Sequence, residues 1–179
     1  DGSQSAPWRT PQHAVDWCRD NLDLAGFFLT IQMLAGTYGF FTASGAFTGS
    51  RGVFAVKLLG DPANIHNVKF QSATDTINIT NDAHMRLDFI EVASSSGVGI
   101  TVADAMVNLG VIAYMACPLA HIHAVGNRCV VGIGNSQLTG PVPQHISAEG
   151  HSQVQYGNAQ VLLLGDIAYT FILLGVFET

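Results

Sequence analysis

Cys117, His121, His123 and Cys129 fall within the stretch YMACPLAHIHAVGNRCVVGIG, in the pattern C-x3-H-x-H-x5-C. Two thiols and two imidazoles can hold Zn2+ in a tetrahedron. A thiol beside an imidazole and an orienting acid can instead act as a nucleophile. The spacing argues against zinc: the two cysteines are too far apart for a zinc-binding cysteine pair, and Pro118 disturbs the strand register between Cys117 and His121. Side chains two apart on a strand share a face, so His121 and His123 are expected together on the polar side of a hairpin. A nucleophile lacks support elsewhere, because the chain has no G-x-S-x-G, H-E-x-x-H or phosphate-binding loop motif.

A second set lies downstream. His145 and His151 flank Glu149, and with His121 and His123 they could form a site of two histidines and a carboxylate, or a group that titrates near neutrality. The plainer reading is a solvated or interface loop. Asp75, Asn78, Asn81 and Asp82 supply oxygen atoms at a density that can hold Ca2+, without the spacing of an EF-hand. Turn chemistry explains them more simply. Asn78-Ile79-Thr80 is also a glycosylation sequon. Cys18, Cys117 and Cys129 are odd in number; a Cys117–Cys129 bridge is one alternative, and free buried thiols are preferred. The expectation is therefore no catalytic residue, no metal and no cofactor, with Cys117, His121, His123, Cys129, His145 and His151 as the residues that would overturn it.

The elements that must position these residues read as mostly β. Residues 1–10, DGSQSAPWRT, read as an extended arm bearing Trp8. Thr10 before Pro11 suits an N-cap and a first helical position, and Ala14, Val15, Cys18 and Leu22 recur at helical spacing, which predicts a helix over 11–21. After it come short apolar runs such as FFLTIQML, GVFAVKLL, HMRLDFIEV and LGVIAYMA, separated by clusters such as GDPAN and ASSSG. MRLDFIEV alternates like one half-buried strand. Gly126-Asn127 signals a hairpin turn. TVADAMVNLG (101–110) is ambiguous between strand and helical turn, and Thr139 to Ser152 reads as one long irregular loop because of Pro141 and Pro143. No internal repeat is evident. About ten strands in a single domain over 11–179 predict an all-β, antiparallel two-sheet sandwich of jelly-roll type.

Composition then points to a role. Of the 179 residues only 11% are charged, against about 25% in ordinary soluble proteins. Such a surface is either neutral and polar or partly buried against other subunits, where charge is depleted. The formal charge of −6 and the scatter of seven basic residues exclude nucleic acid as a direct partner. The longest apolar region carries Thr30, Gln32, Thr37 and three glycines, so no transmembrane segment is expected. Phe27, Phe28, Phe40 and Phe41 crowd both faces of their strands, which suits contacts with a neighbouring subunit.

The reading is a non-enzymatic structural subunit, extracellular or of a virion, that builds a shell, appendage, filament or tube from copies of itself, with a second structural protein as a further partner. Trp8, Phe27, Phe28, Phe40 and Phe41 would form its interface. A secreted sandwich that binds a ligand, sugar or metal is the alternative, and an enzyme using Cys117 or Cys129 the third.

Overall fold

The fold is a computed structural model that describes residues 2–3, 5–52, 55–135, 137–139, 142–156, 162–164 and 176–178. It is mainly β, but the described strands pair in parallel with one another, so the antiparallel jelly-roll sandwich is replaced by a β-solenoid of about five turns. The chain begins with helix α1 (Pro11–Asn21), whose N-cap Thr10 accepts a hydrogen bond from the His13 amide and whose buried face is Pro11, Ala14, Val15 and Cys18. It then winds. The first coil holds β1 (Leu29–Gln32), β2 (Gly36–Tyr38) and β3 (Phe41–Ser44), and the second β4 (Val56–Leu59), β5 (Val68–Ser72) and β6 (Ile77–Thr80). The third holds β7 (His84–Asp88), β8 (Ile90–Ser94) and β9 (Val98–Ala103), and the fourth β10 (Met106–Leu109), β11 (Ile112–Tyr114) and β12 (Ala120–Val125). The fifth holds β13 (Val130–Ile133), β14 (Gln137–Thr139) and β15 (Gln144–Ala148), followed by β16 (Gln153–Tyr156), β17 (Leu162–Leu164) and β18 (Val176–Glu178).

Stacking the coils makes three sheets. Sheet A runs β1-β4-β7-β10-β13-β16-β18, sheet B runs β2-β5-β8-β11-β14-β17, and sheet C runs β3-β6-β9-β12-β15. Each interior position is therefore a ladder. Met85, Val107, Val131 and Val154 stack in sheet A, and Ile77, Ile100, Ile122 and Ile146 in sheet C. These ladders are the hidden repeat. The step is 23 residues from Asp88 to Val111 and from Asp104 to Asn127, and 24 from His121 to His145. The repeat conserves apolar character and corner chemistry rather than residue identity, so it escapes a search for identical residues.

The corners explain the other corrections. HMRLDFIEV is two strands, not one: Phe89 turns the chain between β7 and β8 at a φ of 55°. Asp104, at a φ of 47°, turns TVADAMVNLG from β9 into β10, so that segment holds no helical turn. Gly126, at a φ of 114°, makes a corner rather than a hairpin, because β12 and β13 belong to different sheets. The supposed irregular loop over 139–152 contains β15, which pairs with β12 from Gln144 onward. Among the described residues, no helix is long and apolar enough to cross a membrane.

Candidate functional site

The Cys/His set does not converge. Cys117 is buried at the corner before β12, against Gly99 and Tyr114. His121 is buried too, stacked on Tyr114 with ring centroids 5.2 Å apart. Its Nδ1 lies 3.0 Å from Nδ1 of His145, which is one coil on. His123 is partly exposed, with Nε2 at 3.4 Å from the Glu149 carboxylate. The expected common face for His121 and His123 fails in practice, because Ala120, His121 and Ile122 are buried in succession where the strand leaves its corner. Cys129 lies in the apolar core, its thiol 3.4 Å from the Val102 carbonyl that accepts from it. His151 sits at the surface, beside Asn127. Among the described residues, no cluster of three or more His, Cys, Asp or Glu is arranged to hold a metal.

The chemistry of the thiols follows from burial. Desolvation pushes Cys117 to a pKa of about 11, against which a Ser94 backbone contact works weakly. Cys129 is pushed to about 11 by the same cause. Both therefore hold their protons near neutrality and make poor nucleophiles. Burial also lowers the His145 pKa, so its ring is held neutral. The three cysteines are free. Asp75, Asn81 and Asp82 are occupied as corner residues: Asp75 accepts from the Val98 amide, and Asn81 and Asp82 turn the chain at positive φ.

Two buried carboxylates escaped the reading of the sequence. Asp88 is reached by Lys57 at 3.2 Å and Arg86 at 2.7 Å, and it accepts the Val111 amide at 2.9 Å. Glu91 lies between Lys69, at 2.9 Å, and His66, which a short 3-10 turn (Ile65–Asn67) brings over sheet B. Burial alone would raise the Glu91 pKa, but the Lys69 and His66 hydrogen bonds outweigh it and hold it below its ordinary value. These groups are neighbours only because consecutive coils stack: Lys57 faces Arg86, and Lys69 faces Glu91. Without the coil register nothing in the sequence links them. Both sites tie one coil to the next.

The first coil is different in kind. From Leu24 to Ser50 the sequence has no charged residue, no histidine and no proline. Around this coil, Phe27 is 76%, Phe28 75%, Leu34 58% and Phe40 51% exposed. They stand at its corners: the two phenylalanines before β1, Leu34 between β1 and β2, and Phe40 between β2 and β3. Phe41 does not join them. It is 1% exposed and packs on Phe70 in the core, because β3 alternates and its odd positions face inward. Trp8, ahead of helix α1, packs back on it, with its ring 5.2 Å from Trp17 and 5.8 Å from His13. Leu34 was missed because it reads as the end of the apolar run FFLTIQML, and only its place at a corner reveals its exposure.

Comparison with protein-family models, with curated proteins and with solved structures finds no match to this chain.

Proposed function

We propose that this protein is a structural subunit that assembles with copies of itself through its first coil. The observation that carries this reading is the conjunction, at the coil where the described sheets end, of an uncharged turn with four exposed large apolar side chains. Edge strands in soluble proteins are ordinarily guarded by lysine, proline, charge or a covering element. Here β1 and β2 end their sheets without a charged or proline residue. The four side chains leave on the order of 500 Å2 of apolar surface in water, a large share of the roughly 800 Å2 that each partner gives to a stable interface. The low charge of the whole chain agrees with burial against other subunits.

The test is mass in solution. The protein should sediment as a multiple of the chain mass. A variant with Phe27→Ser, Phe28→Ser, Leu34→Ser and Phe40→Ser should keep its β-rich spectrum and sediment as a monomer. Truncating an aromatic at the centre of an interface costs about 2 kcal/mol, roughly thirtyfold in affinity. A native chain that stays monomeric up to its solubility limit overturns the proposal.

A further inference from the structure

We infer that two copies join through the free edge of β2, antiparallel across a two-fold axis that passes beside Thr37. This rests on the self-assembly proposed above and names its seam.

The three sheets do not end alike at the first coil. On sheet C, the Gln12 side-chain amide takes the place of a neighbouring strand. Its Nε2 donates to the Thr42 carbonyl and its Oε1 accepts from the Thr42 amide, both at 2.8 Å. Arg19 donates to the Ser44 carbonyl at 3.1 Å. Helix α1 thus closes the edge of β3. Among the described residues sheet B shows no such cover: β2 is its last strand on this side, and Gly36 and Thr37 are exposed. Gly39 has open space beside it. The carbonyls and amides that β2 turns away from β5 form a template for one more strand.

The sequence around β2 selects a second copy as that strand. In an antiparallel pair centred on Thr37, each residue before the centre faces one equally far after it. The corner that carries Leu34 in one copy then lies beside the corner that carries Phe40 in the other, at both ends of the seam, so the two exposed apolar residues that flank β2 can cover each other twice. Within β2 Gly36 faces Tyr38, so a small residue stands opposite the one large side chain of the strand. The formal charge of −6 sets copies of this protein apart, yet none of that charge lies between Leu24 and Ser50. A partner with the same neutral edge removes no charged group from water. An isologous contact of this kind is self-complementary by symmetry.

Thr37→Cys tests the seam. Directly opposed residues in an antiparallel pair have Cα atoms about 4.5–5.5 Å apart, within the range a disulfide spans. Mild oxidation with a copper–phenanthroline catalyst and oxygen removes two protons and two electrons from the paired thiols. Most of the chain should then run as a dimer on a non-reducing gel. The native chain, whose three cysteines are buried, and Gln71→Cys, an exposed site on β5, should remain unlinked. A second arm uses charge. Leu34→Lys and Phe40→Glu should each weaken the dimer roughly tenfold or more. The double variant sets an introduced ammonium beside an introduced carboxylate twice, and should associate more tightly than either single change. If the native protein is assembled by sedimentation but Thr37→Cys does not link, or the double variant gains nothing over the singles, the seam is wrong while self-assembly stands. If the native protein is a monomer, both proposals fall.

Discussion

At the scale of residues, the Cys/His stretch shows what spacing can and cannot say. Cys117, His121, His123 and Cys129 are close along the chain, but a corner and an inward-facing start of strand divide them: Cys117 and His121 lie by Tyr114, Cys129 in the apolar core and His123 toward the surface. The pair that forms, His121 with His145, is one coil apart and was invisible until the register was known. Phe27, Phe28 and Phe40 were legible as an unusual crowd of aromatics, whereas the fate of Phe41 turned on strand alternation. The neutral His145 carries a pH consequence. Burial lowers its pKa below the ordinary 6.5, so between those two values the unfolded chain binds a proton that the folded chain does not. Its contribution to stability is therefore complete above pH 6.5 and is lost as pH falls toward the folded value. The denaturation midpoint should drop between about pH 7.5 and 5.5, and His145→Gln should drop less over the same interval; an equal drop in both would remove His145 as the cause.

Elements were far more legible than their partners. The runs of apolar residues located most strands, and Thr10-Pro11 located the helix start. The sheet pairing could not be read, because short strands of either orientation share the same composition, and one-residue corners such as Phe89 do not announce themselves. Pro141 and Pro143 hid β15 for a related reason: they lie ahead of Gln144, where the ladder with β12 begins. What binds one coil to the next at the corner of sheets A and B is Asp88, which gathers Lys57, Arg86 and the Val111 amide. Gly110 lies directly over that carboxylate, and a Cβ there would overlap it. Gly110→Ala must therefore push Asp88 off its partners. It should cost about 1–3 kcal/mol by overpacking alone, measured as a lower midpoint in urea with an unchanged slope. A neutral result would mean that the corner shifts freely and that Asp88 is not fixed by its cations.

For the whole molecule, the solenoid is close to one-dimensional, since each coil buries its faces mainly against the coils before and after it. An end coil lacks one of those neighbours and must be capped or paired. Helix α1 packs against β3 and, to a lesser extent, β1, and the exposed phenylalanines and the edge of β2 remain. The charge of the molecule is distributed in the same uneven way, with −6 overall and none of it between Leu24 and Ser50. Two copies approaching along this coil therefore feel net repulsion from the rest of the molecule and no ionic attraction at the contact. Salt screens the repulsion, its range falling from about 30 Å at 0.01 M to about 8 Å at 0.15 M ionic strength, and leaves apolar contact and strand pairing in place. Association should accordingly tighten as salt is raised over that interval, the opposite of an interface held by ion pairs. Sedimentation equilibrium at several ionic strengths checks this directly. An association that weakens with salt would mean that opposite charges meet between copies, and would move the contact away from the first coil to the surfaces that carry Lys57, Arg86 or the acidic residues.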